Sequence, residues 1–134
     1  MEKKEHPVVE KKKISPDKCV VTGKGSWYFP LADIYETADN FTVLIDMPGV
    51  SPENITVDMR DNELIVNGAV SQEAYANEKV IYNEYNIGHY HRHFVISDAI
   101  NRDKIEAKMS DGVLSLVLPK AEHVKPRKIE VKAE

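Results

Sequence analysis

Residues 55–68, ITVDMRDNELIVNG, decide the fold class of this chain. Apolar and polar residues alternate along this stretch with a period of two, as they do in a β-strand that has one buried and one exposed face. The alternating apolar residues are Ile55, Val57, Met59, Leu64 and Val66. Asp61-Asn62 separates the two runs and Asn67-Gly68 follows the second, and both dipeptides are typical of tight turns. The stretch therefore predicts two neighbouring strands, each followed by a turn.

The same period continues on both sides of this pair of strands. Four further runs have apolar residues on one face: Phe41, Val43 and Ile45; Tyr90, Phe94 and Ile96; Ile105, Ala107 and Met109; and Leu114, Leu116 and Leu118. Turn residues separate the runs, as at Met47-Pro48-Gly49 and Ser110-Asp111-Gly112, and no segment has the period of a long helix. About seven or eight short strands predict an all-β domain in which two sheets close over the buried faces.

The composition is that of an ordinary globular chain. Of its 134 residues, 42% are apolar and 30% are charged, and the net charge of −4 is too small to favour a nucleic acid as partner. No apolar run is long enough to cross a membrane, and the lysine-rich N-terminus lacks the apolar stretch of a secretory signal. A single cysteine, Cys19, excludes a disulfide within the chain. These features predict a cytoplasmic location.

The sequence divides into one domain and two tails. Residues 1–26 are rich in lysine and have few branched apolar residues, which predicts a flexible N-terminal arm. Residues 27–120 hold the alternating runs, and residues 121–134 form a charged C-terminal extension. Ile129 and Val131 stand out in this extension because they are apolar residues among lysines and glutamates.

No arrangement of residues points to catalysis. Motifs for a nucleophile, a zinc site or a phosphate-binding loop are absent, so we expect no enzymatic activity, no metal and no cofactor. His89, His91 and His93 alternate along one strand, so their rings are expected on one face of the sheet. Two or three imidazoles could hold Zn²⁺ or Cu²⁺, but no fourth ligand is evident, and a solvated polar face is the favoured interpretation.

Four stretches of the sequence resemble the small heat-shock proteins and their α-crystallin domain. They are PLADIYET at residues 30–37, DMPGVSPENITVDMRDNELIVNG at 46–68, GHYHRHFVI at 88–96 and AKMSDGVLSLVLPKAE at 107–122. All four occur in the order found in that family. The resemblance implies an immunoglobulin-like, two-sheet antiparallel β-sandwich over residues 27–120. It also implies ATP-independent holdase activity toward unfolding proteins, and homo-oligomers built from dimers.

The resemblance gives the C-terminal extension a role in assembly. Small heat-shock proteins carry an I-x-I/V motif, here Ile129-Glu130-Val131, that docks into a groove at the edge of a neighbouring subunit's sandwich. In an extended chain residues 129 and 131 point to the same side, so both can enter one groove. The residues expected to line the groove are Ile55, Val57, Met59, Ile105, Ala107, Met109, Leu114 and Leu116. From Pro119 to Ile129 the chain spans at most about 33 Å, enough to reach an adjacent subunit, and the alternative is that the pair stays in solvent.

The long segment at residues 69–88 has a second implied role. In bacterial, archaeal and plant members of the family, a strand from this segment pairs with the first sheet of the partner subunit. KVIYNEY, residues 79–85, is the strand-like piece available for such an exchange. The residues assigned to the dimer interface are Val80, Ile81, Tyr82 and Arg92. The alternative is a solvated hairpin folded back onto its own domain.

Arg92 matches the arginine that the family carries on this strand, near the dimer interface. It lies between Tyr90 and Phe94 on a face that otherwise reads as buried. A buried guanidinium needs a partner, such as a carboxylate, to offset the loss of water. The sequence does not choose among the many aspartates and glutamates.

Client binding is assigned to exposed apolar surface, chiefly Trp27, Tyr28 and Phe29, and to the groove when the tail leaves it. The predicted partners are thus other copies of the chain and partly unfolded proteins. Two alternatives stay open. The same sandwich serves as an interaction module in co-chaperones with CS domains, which usually act as monomers and have no use for the tail motif. The other alternative is a structural assembly protein with little chaperone activity, because the arm is poor in aromatic residues.

Overall fold

The computed structural model describes residues 26–71, 76–84 and 87–133, and it consists mainly of β-strands. Its strands are β1 Trp27–Tyr28, β2 Ala32–Glu36, β3 Asn40–Asp46, β4 Val50–Arg60, β5 Glu63–Val70, β6 His89–Val95, β7 Glu106–Ser110 and β8 Val113–Pro119. Two short 3-10 helices span Arg102–Lys104 and Glu122–Val124. The predicted all-β fold is confirmed. All but the last residue of the predicted N-terminal arm, 1–26, lie outside the described residues.

The strands form two four-stranded sheets that pack on one another. One sheet has the order β1-β6-β5-β4, and the other has the order β2-β3-β8-β7. Every pairing is antiparallel except that of β1 with β6, which is parallel. This pair departs from the expected antiparallel arrangement because β1 is joined to β2 of the other sheet. No hairpin therefore imposes an antiparallel direction on it.

The core lies between the sheets and is filled by the inward-facing half of each alternating run. One cluster of buried side chains joins the two sheets: Val43, Ile45, Met47, Val50, Leu64, Val66, Tyr90, Ile96, Leu114, Leu116 and Leu118. Strand register keeps these side chains in rows, since Val43 lies opposite Leu116 and Ile45 lies opposite Leu114. Full burial of one such side chain stabilises the folded domain by about 1.5–3 kcal/mol. The residues that repeat with a period of two therefore supply much of the stability of the sandwich.

The predicted turn at Asn67-Gly68 is wrong, because β5 runs through both residues. Gly68 is buried, and a Cβ atom there would lie 3.0 Å from the sulfur of Met47 and 3.4 Å from Val50. The glycine therefore permits close packing against the chain that enters β4. Asn67 stays in the strand opposite His91, and its side chain bonds the His91 ring.

Arg92 holds the connection between the two sheets. Its half-buried side chain lies on the inner face of β6, and Nη1 donates a hydrogen bond of 2.8 Å to the carbonyl oxygen of Pro30. The guanidinium also lies 5.4 Å from the ring centre of Phe94. No carboxylate lies within ion-pair distance of Arg92 among the described residues. The expected carboxylate is thus replaced by a carbonyl of the segment 29–31, which leads from β1 to β2.

The three histidines of β6 do not form the solvated face that the sequence predicts. His91 is 7% exposed, and its Nδ1 lies 2.5 Å from Oδ1 of Asn67. His89 accepts a hydrogen bond of 3.0 Å at Nδ1 from the backbone N–H of Val70. Burial and, second, the charge of nearby His93 lower the pKa of His91, which favours its neutral form. Within the described ranges, no group of three or more histidine, cysteine or acidic side chains is arranged to hold a metal ion.

Replacing Arg92 with methionine is expected to destabilise the domain by about 1–3 kcal/mol, because the buried carbonyl of Pro30 loses its donor. Urea denaturation measures the free energy of unfolding. Arg60→Met, at the exposed end of β4, is the matched control and should change that free energy by less than about 0.5 kcal/mol. Equal effects of the two substitutions would contradict the structural role of Arg92.

Candidate assembly site

The Ile129-Glu130-Val131 motif is an exposed stretch of chain outside any strand. Ile129 is 85% exposed and Val131 is 96% exposed. Two apolar side chains held this far out of the core lose the free energy that burial would supply. Both remain available for a contact outside the core of their own subunit.

The root of the C-terminal extension is tied to the sandwich. The backbone N–H of Ala121 donates a hydrogen bond of 2.7 Å to the carbonyl of Ala99, and Lys120 forms a β-bridge with Ile100. The ammonium of Lys120 lies 2.8 Å from the carboxylate of Glu36 and 5.1 Å from the ring of Phe41. These contacts fix where the tail leaves the domain.

The free part of the tail is shorter than the sequence suggests. The 3-10 helix Glu122–Val124 follows the tied residues directly, and Lys125 pairs with Glu122 at 2.8 Å. The chain from Lys125 to Ile129 lies outside helix and strand, and at full extension it reaches at most about 14 Å. The predicted reach of about 33 Å from Pro119 is too long because it treats the tied and helical residues as extended chain.

β4 and β7 are free sheet edges on one side of the sandwich. Each is the last strand of its sheet, so that β4 pairs only with β5, and β7 only with β8, in the described structure. At the other ends of the two sheets lie β1 and β2, and the short link 29–31 keeps those two strands on the same side. β4 and β7 consequently share the opposite side, where an added strand could pair with either edge.

Hydrogen bonds fix which ends of β4 and β7 lie together. Arg102, just before β7, donates to the carbonyl of Asp61 and, at 2.5 Å, to the side chain of Asn62, just after β4. Met47, just before β4, donates a backbone hydrogen bond of 2.7 Å to the carbonyl of Gly112, just after β7. We define the strip between the two strands as the candidate groove and name its ends the Arg102 end and the Gly112 end. β4 and β7 therefore run in opposite directions along it.

Apolar side chains line both sides of the candidate groove. Five predicted lining residues are half-buried and pack against the core: Ile55, Val57, Met59, Ile105 and Met109. A sixth, Ala107, is exposed. Strand register turns this row toward the core, since Val57 lies opposite Val66. The groove is thus an apolar strip that remains partly open to solvent.

Two further residues that the sequence assigns to the groove belong to the core. Leu114 is 2% exposed and Leu116 is 0% exposed. β7 covers them from the side, since Met109 lies opposite Leu114 and Ala107 lies opposite Leu116. Both leucines support the groove from within the core and offer almost no surface to a docked segment.

The segment predicted to cross to a partner subunit is exposed in its described residues, 76–84. Val80, Ile81 and Tyr82 are exposed, Ile81 to 96%, and residues 76–84 contain no strand. The Tyr82 hydroxyl donates a hydrogen bond to the Glu84 carboxylate, which raises the pKa of Tyr82. The described part of the segment does not pair with its own domain, which favours the exchanged strand over the folded-back hairpin.

The free edge of β2 is a candidate contact that sequence reasoning missed. Among the described strands β2 pairs only with β3, and Ile34 points inward opposite Val43 yet is 59% exposed. β1, the edge strand of the other sheet on this side, has only two residues and cannot cover Ile34. In the sequence, ADIYE is too polar to be recognised as a strand with one buried face.

The predicted client-binding residues are part of the sandwich. Trp27 and Tyr28 form β1, and these two residues and Phe29 are all half-buried. Tyr28 packs against the core. The Nε1 atom of Trp27 is buried and has no hydrogen-bond partner among the described residues. Less of this aromatic surface is open than the sequence suggests.

Sequence comparisons identify one family. The Hsp20/alpha crystallin family matches the chain over residues 33–132. A probable 15 kDa heat shock protein of Leptospira interrogans is 35% identical over 105 residues, which cover 78% of this chain and 79% of that protein. The 17.0 kDa class II heat shock protein of Zea mays is 35% identical over 105 residues, which cover 75% of this chain and 68% of that protein.

Solved structures show the same sandwich. A small heat-shock protein from Xylella fastidiosa, whose crystal structure is described as revealing a distinct high order structure, gives a TM-score of 0.63 at 33% identity over 78% of this chain and 96% of its own. Heat shock protein 16.0 from Schizosaccharomyces pombe gives a TM-score of 0.64 at 28% identity over 79% of this chain and 98% of its own. Both likenesses extend over nearly the whole of the solved chains.

Helices capable of crossing a membrane are not found among the described residues. The two-sheet fold, the sequence relatives and the family match over residues 33–132 all agree. The chain belongs to the Hsp20/alpha crystallin family, and its fold is the α-crystallin β-sandwich of the small heat shock proteins.

Proposed function

We propose that this chain is an ATP-independent holdase that binds partly unfolded proteins and assembles from dimers into larger homo-oligomers. The observation that carries the proposal is a match between two incomplete surfaces. Ile129 and Val131 are exposed on the tail, and an apolar strip stays half-open between β4 and β7. A single subunit leaves part of both surfaces in water, whereas another copy of the chain supplies a partner for each.

The tail adds to the edge of a neighbouring sandwich as an extra strand. Ile129 and Val131 enter the groove while Glu130 faces away from it. Burying one isoleucine and one valine contributes roughly 3–6 kcal/mol before the cost of ordering the tail is subtracted. One docked tail is therefore weak and exchangeable, but many tails in one assembly hold it through their effective concentration.

Dimers form through the segment 79–82 and the free edge of β2. Against the described part of their own subunit, the side chains of Val80, Ile81 and Tyr82 remain exposed, and so does that of Ile34. A strand from the partner satisfies the free backbone groups of β2 and buries Ile34. Arg92 supports this interface indirectly, because its hydrogen bond to Pro30 holds the chain that leads into β2.

Clients bind the apolar surface that assembly leaves open or uncovers. The aromatic segment Trp27, Tyr28 and Phe29 offers half-buried surface, and the groove becomes available whenever a tail leaves it. Heating releases tails and so raises the population of open grooves. This scheme needs no nucleotide and no metal, and we place the protein in the cytoplasm.

Two alternative functions differ from this one in measurable ways. A monomeric interaction module, like the CS domains of co-chaperones, has no use for the exposed Ile129 and Val131, so a large solution mass speaks against it. A structural assembly protein shares the large mass but does not protect clients. Mass and client protection together separate all three functions.

Replacing Ile129 and Val131 with serine is expected to shrink the assembly toward dimers, because each tail loses its docking free energy. Size-exclusion chromatography with light scattering measures the mass. Val95→Ser removes another exposed apolar side chain, from β6 and away from the tail, and should leave the mass unchanged. A mass unaffected by the double replacement would mean that the tail does not hold the assembly.

In the Ile129→Ser, Val131→Ser background, Ile81→Asp is expected to raise the dimer dissociation constant at least about tenfold, because a charge replaces a buried apolar contact. Sedimentation equilibrium measures that constant. The free energy of unfolding of the subunit should stay the same, since Ile81 is 96% exposed. Ile34→Asp should weaken the dimer by a similar factor, and a dimer indifferent to both changes would rule out the pairing with β2.

An equimolar amount of subunits is expected to suppress the heat-induced aggregation of a labile enzyme, as measured by light scattering without nucleotide. Added ATP should make no difference, because binding to exposed apolar surface needs no hydrolysis. Serum albumin at equal mass serves as the control for non-specific protection. Aggregation that proceeds as fast with this protein as with albumin would contradict the holdase function. It would not contradict the proposed assembly.

A further inference from the structure

We propose that the charges beside the tail motif set the direction in which the tail lies in the groove. The basic residues that precede Ile129 lie at the Gly112 end, so the tail runs parallel to β4 and antiparallel to β7. This inference rests on the proposed function, in which the tail docks in the groove, and it adds the direction in which the docked tail runs.

Carboxylates stand just beyond both ends of the apolar strip. On each side of the groove, one carboxylate lies two positions before the first apolar residue and another lies two positions after the last. These carboxylates are Glu53 and Asp61 beside β4, and Asp103 and Asp111 beside β7. All four residues are exposed, so a cation on an incoming chain can reach them.

The two ends of the groove differ in net charge. At the Arg102 end, residues 60–63 and 102–104 carry three basic and three acidic side chains, which balance. At the Gly112 end, residues 46–54 and 110–113 carry three acidic side chains and no lysine or arginine. The three are Asp46, Glu53 and Asp111, and none of them forms an ion pair within the described part of the chain. The Gly112 end is therefore the one that favours a cation.

The tail carries more free positive charge before the motif than after it. Arg127 and Lys128 directly precede Ile129, and neither makes an ion pair with any described residue. Only Lys132 follows Val131 within the described chain. In an extended strand Arg127 points to the same side as Ile129, about 6.6 Å away along the chain. Its guanidinium therefore lies at the end of the groove that is nearer Ile129 than Val131.

The two directions of docking differ in the net charge that the basic residues meet. With the basic side at the Gly112 end, Arg127 and Lys128 face the three carboxylates of that end, which no lysine or arginine of its residues offsets. In the reverse direction they approach the Arg102 end, where three basic side chains balance the carboxylates. Exposed ion pairs are individually weak and are screened by salt. The charges consequently select the direction, while the apolar pair supplies the affinity.

Charge reversal in the full chain tests the proposal through the rate of subunit exchange, followed by mass spectrometry after mixing with isotope-labelled protein. Arg127→Glu with Lys128→Glu should speed exchange about tenfold at low salt, whereas Lys132→Glu should change it less than about twofold. Adding Glu53→Lys and Asp46→Lys to the double variant should restore a slow rate. Equal effects on the two sides of the motif, or no restoration, would overturn the proposal.

Disulfide trapping reads the direction itself. In a Cys19→Ser background, oxidation should cross-link Pro126→Cys with Asn54→Cys, which lies near the Gly112 end. Pro126→Cys should not cross-link with Lys104→Cys, which lies near the Arg102 end. Equal trapping at the two positions, or faster trapping at position 104, would overturn the assigned direction.

Failure of this inference is distinguishable from failure of the proposed function. If Ile129→Ser with Val131→Ser shrinks the assembly while positions 54 and 104 trap equally, the tail docks without a charge-set direction. If the double serine variant leaves the mass unchanged and no trapping occurs at either position, the docking itself is wrong. Trapping at position 54 alone supports both.

Discussion

The packing of two four-stranded sheets over one core leaves β4 and β7 as free edges on one side of the sandwich. The proposed assembly depends on these two free edges. Inward-facing side chains of β5 and β8, such as Val66 and Leu116, are fully buried because strands flank them on both sides. On the side of β1 and β2, the short link and the bond from Arg92 to Pro30 tie the sheets together. On the side of β4 and β7, none of the described strands covers the row from Ile55 to Met59, so an added strand could complete it.

Several of the exposed large apolar residues in the described part of the chain lie on a free strand edge or on segments outside the sheets. The tail carries Ile129 and Val131, the segment before β6 carries Val80 to Tyr82, and β2 leaves Ile34 uncovered. In a larger protein further secondary structure would cover such edges. In the proposed assembly, copies of the same chain cover them. Each of the proposed contacts is small, so such an assembly would combine stability with exchange, and exchange would expose apolar surface to clients.

Sequence periodicity predicted the sandwich because one buried face per strand is a local property that each run carries by itself. Features that depend on neighbours were not predictable in this way. Gly68 looked like a turn residue, but its missing side chain makes room for Met47 and Val50. Leu114 belongs to the core because β7 lies beside it, and His91 is buried although its alternation resembles that of a polar face. The edge of β2 was missed because Ile34 lies among acidic residues.

Hydrogen exchange at the amides of β4 and β7 in the assembled protein reports on tail docking, because a docked tail adds a strand at one of these two edges. Exchange is compared between the unaltered chain and the Ile129→Ser, Val131→Ser variant. We expect exchange at β4 or β7, where the tail pairs, to be at least about tenfold slower in the unaltered assembly, with equal rates in the central strands β5 and β8. Equal rates at β4 and β7 in both proteins would contradict docking of the tail at this edge.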